Sequence, residues 1–351
     1  MYSSVASSRC NHRRQGNHYG TGGGDPSPTR NPFDLARTPG GSSSGSAAAV
    51  GARMVPVAIG TQVAGSILRP SGYCANYAIK PSFGAIHRGD RASYSQSCIG
   101  IHAGDLHDMW NTLYEIAIRT GGDPGALGLV GEAELTASIY PSTIIRIEGL
   151  GWRATEGSTK AAFLQVIERL KRQGVRILDR TDFPEIEEFE QSLTDAADTI
   201  TTLLAYENKW YLENLARRGL PLSQYTMGTL NKGRQLGIDD YRTALAKRQR
   251  MEAAFMRLRS LSEFFITPTN TSPAPLLEHP RATNGIANVG TGNPAYNLIP
   301  SLLRCPAISL PLLGVRDLPV GIQVFAQRDN DFRLCKAGKW IKENITPVVV
   351  E

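Results

Sequence analysis

An α/β protein with at least some parallel strand pairing is what this sequence predicts, and three observations carry that prediction. Strand-like and helix-like stretches alternate through the middle of the chain in a β-α-β rhythm. The 351 residues are 41% hydrophobic and 20% charged, the balance of a globular protein, and long enough to bury a large core in one α/β unit or in two domains. No run approaches the eighteen apolar residues of a membrane span, so a soluble protein is expected.

The elements follow in order. Residues 1–30, "MYSSVASSRCNHRRQGNHYGTGGGDPSPTR", have neither the apolar region of a secretory signal nor any helix or strand period, so a disordered or atypical N-terminus is expected. "SAAAVGARM" predicts a short helix that begins where small hydroxyl residues can cap its free N–H groups. "VPVAIG" predicts a buried strand, a glycine-bounded loop carries Ser66, and "GYCANYAIKPSFGAI" predicts further strand and turn. "LHDMWNTLYEIAIRT" is an amphipathic helix that the turn "GGDPG" must end. "TIIRIEGLG" is strand-like. "STKAAFLQVIERLKRQG" places Phe163, Val166, Ile167 and Leu170 on one helix face, and "VRILD" is again a strand. Residues 185–260 are mainly helical, and "FFITPTN" and "LPVGIQVFA" are buried strands that return to the sheet. Neither an internal repeat nor a domain linker is visible.

Charge and cysteine content narrow the class. The net charge of +6 comes largely from basic residues interleaved with acids, as in "RTALAKRQRMEAAFMRLR", which favours a solvated helix face over a nucleic-acid site. Five cysteines, at 10, 74, 98, 305 and 335, are scattered without CxxC spacing and predict reduced thiols in the cytoplasm. His87, His102, His107 and His279 have no metal-ligand spacing and are expected to be ordinary surface or loop residues, so neither a metal nor a cofactor is implied.

The chemistry lies in two knots of glycine and serine. Cleaving an amide or ester needs a nucleophilic hydroxyl, a base to activate it and N–H groups aimed at the developing oxyanion. "GTQVAGS" suits the first and third needs, because small residues before a serine let several N–H groups converge beside its Oγ. Two readings of the other knot fail. "GSSSG" formally matches a nucleophile elbow centred on Ser43, but no strand leads into it. A phosphate-binding loop would need a Gly-Lys-Ser/Thr ending, and no lysine occurs before Lys80.

Taken together, "TPGGSSSGSAAAV", then "GTQVAGSILRP" with its serine 24 residues after Ser42, then "KPSFG" resemble the amidase signature family. "NPAYNLIPSLLRCPAISLPLLGVRDLPVGIQVFA", "GGDPGALGL", "AYENKW" and "FFITPTNTSPAP" extend the resemblance from about residue 31 to the C-terminal region. The resemblance implies an amidase-signature domain over 31–351, a mixed central β-sheet covered by α-helices. It implies a Ser-cisSer-Lys triad with Ser66 as nucleophile and Ser42 as the cis-serine that relays protons. It also implies an oxyanion hole of the N–H groups of Val63, Ala64, Gly65 and Ser66. Arg69, three residues after Ser66, could take a substrate carboxylate bidentately, against the alternative of an arginine that satisfies loop carbonyls.

Departures from the family pattern matter equally. The family lysine lies upstream of the first knot, where this sequence has none, and Lys80 in "IKPSFG" matches a structural position. Val63, Ala64, Ala75 and Ala78 stand where the family has threonine and glycines, so Ala64 would be strained if it took a positive φ. The expectation is a domain lacking its N-terminal, lysine-bearing part. The resulting reading is a cytoplasmic amidase that hydrolyses the carbon–nitrogen bond of a small amide through Ser66, its activity doubtful without the lysine. The alternatives are a protein like the glutamine-hydrolysing A subunit of an amidotransferase and a non-catalytic amide-binding protein. A small-molecule amide is the expected partner and a homodimer the assembly left open, with no nucleic acid and no membrane.

Overall fold

The computed structural model describes residues 28–89, 94–277 and 290–351, so the expectation for the first 27 residues lies outside the described residues, as does His279. Among the described residues eleven strands form two sheets: β1 Val57–Gln62, β2 Tyr77–Lys80, β3 Cys98–Ala103, β4 Thr143–Arg146, β5 Arg176–Leu178, β6 Phe264–Pro268, β7 Ala307–Leu310, β8 Leu313–Val315, β9 Leu318–Pro319, β10 Ile322–Ala326 and β11 Val348–Val350. The large sheet runs β1-β3-β2-β7-β10-β6-β4-β5, and β11-β8-β9 form a small one. β4 pairs parallel with β5 and β6, while every other neighbouring pair in the large sheet is antiparallel. The fold is therefore a mixed sheet covered by helices.

Strand periodicity explains how one sheet carries two cores. Successive side chains point to opposite faces, and both faces are covered, so the strands read as nearly continuous apolar runs. Ile144, Phe264, Ile266, Ile308 and Val324 pack into one core with Trp110, Phe163 and Leu334 from helices Leu106–Thr120, Gly157–Arg172 and Asp331–Asn344. Their neighbours Ile145, Phe265, Ala307 and Phe325 pack into the other core with Phe189, Leu203 and Phe255 from helices Pro184–Ser192, Ala196–Arg217 and Ile238–Arg257. Phe163, Val166, Ile167 and Leu170 are buried together, as their spacing predicts.

Two elements differ from expectation. The stretch "LRPSGY" is a helix, Leu68–Tyr73, and only Tyr77–Lys80 is a strand. Pro70 is tolerated because it sits in the first turn, where its missing N–H has no helical partner to lose. Ala75, at φ 52, then turns the chain into β2. The second difference is β3, which lies between β1 and β2 and pairs antiparallel with both. This places His102 inside the sheet, fully buried, which corrects its reading as a surface or loop residue. His87 is half-buried in a loop and His107 is exposed on a helix.

Candidate active site

The turn between β1 and the helix Leu68–Tyr73 is organised by the last residue of β1. Gln62 is fully buried, and its Oε1 accepts from the N–H groups of Ile67 (2.8 Å) and Leu68 (3.0 Å). Those donors have no partner within so short a helix, so a strand residue serves as its cap. Gln62 Nε2 donates to Ser301 Oγ at 3.0 Å, which fixes the amide from its other side.

Every carbonyl of the turn is held. Val63 O accepts from Gln96 Nε2 (3.2 Å), Ala64 O from Ser301 Oγ (2.9 Å), Gly65 O from Arg69 N (3.0 Å) and Ser66 O from Ser43 N (3.2 Å). The N–H groups of Val63, Ala64, Gly65 and Ser66 reach no protein acceptor among the described residues. With four successive carbonyls engaged, the four amides are left available to an acceptor outside the described residues. Gly65 fits closely there, since a Cβ would lie 3.0 Å from Asn297 Cβ and Oδ1 and push that side chain aside. Ala64 lies outside the left-handed region, so the strain conditional on a positive φ does not arise at this position.

The bond from Ser43 N to Ser66 O joins the first knot to this turn. The Gly41–Ser42 peptide bond is cis. Ser43 Oγ accepts from Thr61 N (3.2 Å) and donates to Thr61 O (3.3 Å). Ser44 Oγ donates to Gly40 O and Ser46 Oγ to Ile59 O, both at 2.7 Å. Ser42 and Ser66 are half-buried, and neither hydroxyl has a hydrogen-bond partner among the described residues.

Arg69 is part of the scaffold. It is buried, its Nη2 donates to Gly41 O (2.6 Å) and Thr291 Oγ1 (2.9 Å), and its Nη1 donates to Gly292 O (2.9 Å). Only Nε is unpartnered, and burial pulls the guanidinium pKa down. The arginine therefore ties the carbonyl preceding Ser42 to the 291–292 segment, which leaves no bidentate fork for a substrate carboxylate. Tyr73 packs at the same junction, where burial pushes its hydroxyl pKa up. Lys80 is fully buried and donates to Pro81 O (2.8 Å) and Cys98 Sγ (3.5 Å); neither serine is among its partners. His102 lies beneath Gly60, where a Cβ would meet both His102 Nε2 (2.9 Å) and Ser43 Oγ (3.0 Å). Burial drops its pKa to about 3.

Sequence reasoning did not single out Gln62, Gln96, Asn297, Ser301 or Thr291. Gln62, four residues before Ser66 at the end of a buried strand, is the one whose position offered a signal, since a buried amide requires partners. Among the described residues, no group of three or more His, Cys, Asp or Glu side chains could hold a metal ion, and no helix is long and apolar enough to cross a membrane.

The Amidase family model matches residues 8–335. Similar curated proteins include the A subunit of the glutamyl-tRNA(Gln) amidotransferase of Chlamydia trachomatis serovar L2, 25% identical over 90% of this chain and 68% of that protein. Its counterpart from Saccharolobus solfataricus is 27% identical over 91% of this chain and 70% of its own length. Among solved structures, an amidase superposes with a TM-score of 0.77 at 23% identity, covering 93% of this chain and 73% of that one. The A subunit of the glutamyl-tRNA(Gln) amidotransferase from Thermotoga maritima superposes with a TM-score of 0.71 at 25% identity, over 91% and 69%.

Proposed function

Because this chain belongs to the amidase family, whose members are hydrolases of carbon–nitrogen bonds, we propose that it cleaves a small amide with Ser66 as nucleophile and Ser42 as proton relay. The observation that carries this reading is the Val63–Ser66 turn, with every carbonyl engaged and, among the described residues, no acceptor for its N–H groups and no partner for the Ser66 hydroxyl.

Ser66 Oγ attacks the amide carbonyl carbon while its proton passes to Ser42 Oγ, which hands its own proton to a base. The carbonyl oxygen becomes an oxyanion at the free N–H groups. Each such donor is worth roughly 2.7–4 kcal/mol of transition-state stabilisation. Collapse breaks the carbon–nitrogen bond, the proton returns through Ser42 to the departing amine, and water then hydrolyses the acyl-serine. The base is the one role that no residue of this sequence fills by resemblance, because no lysine precedes Lys80. General-base help supplies about 10²–10⁴-fold in rate. Amide turnover by these 351 residues is accordingly expected at a few thousandths or less of that of an amidase whose base is in place.

An activated aryl ester tests the nucleophile with less demand on general-base help, since its leaving group departs without a proton and the barrier to attack is lower. Stable acylation mapped by mass spectrometry to the peptide containing Ser66 is the expected result. Acylation elsewhere, with Ser66 unmodified, would refute it.

A second reading has its own support: the curated relatives described above are A subunits of amidotransferases. On that reading the same serine would hydrolyse glutamine's amide within a complex, and a stoichiometric partner would copurify from the native source. The cytoplasm is the proposed compartment, supported by four free and buried cysteines, Cys74, Cys98, Cys305 and Cys335.

A further inference from the structure

Beyond the end of β2, three guanidinium groups surround the ring of Phe83. The Cζ atoms of Arg88, Arg304 and Arg328 lie 4.4, 5.7 and 6.0 Å from its centroid. With His87 and the turn at Asp123 they line an open cavity of ≈ 620 Å³, to which the two serine knots contribute no residue.

Two of these arginines are held in place by carboxylates. Arg88 Nε donates to Asp123 Oδ2 at 2.5 Å, and Arg304 forks onto Glu252 through Nε (2.7 Å) and Nη2 (3.1 Å). Arg328 has weaker company, Phe83 O at 3.3 Å and Asp329 Oδ1 at 3.7 Å. Arg88 Nη1 is occupied by Tyr94 O and Ser97 Oγ. Each guanidinium thus keeps one terminal nitrogen without an acceptor among the described residues: Nη2 of Arg88, Nη1 of Arg304 and Nη1 of Arg328. Arg304 presents its side chain from left-handed backbone, φ 54, a conformation that costs a non-glycine residue about 1 kcal/mol or more.

We propose that this cavity binds a phosphomonoester. A planar carboxylate is satisfied by one guanidinium fork, whereas a phosphoryl group offers three terminal oxygens and up to two charges. Three separately anchored guanidinium groups, each with a terminal nitrogen to spare and one of them paired with its carboxylate only at 3.7 Å, match the second pattern. The volume exceeds that of the phosphoryl group alone and leaves room for an organic part of sugar size.

Isothermal titration of the 351-residue protein with inorganic phosphate and with glucose 6-phosphate tests this, with succinate and chloride as comparison anions at matched ionic strength. The expected result is one saturable phosphomonoester site per chain, tighter than that for succinate, and retained in Ser66→Ala. Arg328→Gln should weaken it about tenfold. Its side chain is 40% exposed, so this variant should keep the parent melting temperature. Arg304→Gln should weaken binding too and serves as the second variant. Absence of saturable binding, equal affinity for succinate, or parental affinity in both variants would overturn the proposal.

Discussion

Between Gly40 and Ser46 four serines crowd the turn that enters the helix Ser44–Gly51, and the hydroxyls of Ser43, Ser44 and Ser46 are all bonded to backbone. Between Val63 and Ser66 there is a single serine, and the surrounding bonds hold only its carbonyl and its neighbours' carbonyls. The first turn uses side chains to fix backbone, and the second uses fixed backbone to present N–H groups and one hydroxyl. Ser42 is the exception in the first turn, its Oγ without a partner among the described residues. A serine-rich motif therefore divides into positions that hold shape and positions free for chemistry, and the hydrogen-bond partners of each Oγ draw the line.

Ser66→Ala should break the comparison most completely if it is wrong. Loss of the nucleophile should lower the rate of aryl-ester acylation at least about 10³-fold, while stability changes by no more than about 0.5 kcal/mol, since the hydroxyl packs against no partner. Parental acylation in this variant would end the assignment of the second turn.

The next test sets Ser42 against Ser43. Ser42→Ala should slow the same acylation about tenfold, because the proton of Ser66 leaves through it, with little change in stability. Ser43→Ala should do the reverse. It removes the acceptor of an exposed Thr61 N–H and should destabilise by about 0.5–1 kcal/mol in urea denaturation, with a smaller kinetic loss. Exchanged phenotypes would mean that the relay runs through Ser43.

His102, beneath the first turn, gives a pH-dependent test. Its folded pKa lies near 3 against an ordinary 6.5, so the unfolded chain binds a proton that the folded chain refuses. Its contribution is full above pH 6.5 and lost as pH falls toward 3, by up to about 1.4 kcal/mol per pH unit. Asp331 and Glu190, whose pKa values burial raises, act in the opposite sense, so the informative quantity is the difference between parent and His102→Leu. That variant should lose stability less steeply on acidification, and an unchanged slope would contradict the burial of a neutral imidazole.

How far the sequence could anticipate this molecule depends on the range of the forces involved. The helix Leu106–Thr120 was legible because its signals are local: an apolar period, Asp105 accepting from His107 N at 2.7 Å, and Gly121 after its end. The strand Cys98–Ala103 was not, because "CIGIHA" is buried on both faces and a glycine and a histidine interrupt it, leaving no alternation to read. The helix Leu68–Tyr73 was illegible because it is too short for periodicity, and its cap is the side chain of a preceding strand residue. The site shows the same division. Ser42 and Ser66 stood out in their motifs, but the atoms that hold them come from far along the chain, with Gln62 reaching Ser301 across 239 positions and Arg69 reaching Thr291 across 222.

The smallest expected effect separates two alanines, Ala64 and Ala75, one on each side of Ser66. Ala75, at φ 52, sits where an L-residue pays about 1–2 kcal/mol for left-handed backbone. Ala75→Gly removes that cost but adds roughly 0.5–1 kcal/mol of chain entropy in the unfolded state, for a net gain of about 0.5 kcal/mol. Ala64 has no left-handed strain to relieve, so Ala64→Gly adds only the entropy term and should destabilise by about 0.5–1 kcal/mol. It should also loosen the turn proposed to receive the oxyanion, lowering the acylation rate while Ala75→Gly leaves it unchanged. Thermal and urea denaturation of the two variants, read beside their acylation rates, should therefore give opposite signs of stability and a kinetic change in only one. Stabilisation by Ala64→Gly would place strain inside the Val63–Ser66 turn, and the division between a shape-holding knot and an unstrained, donor-presenting one would have to be redrawn.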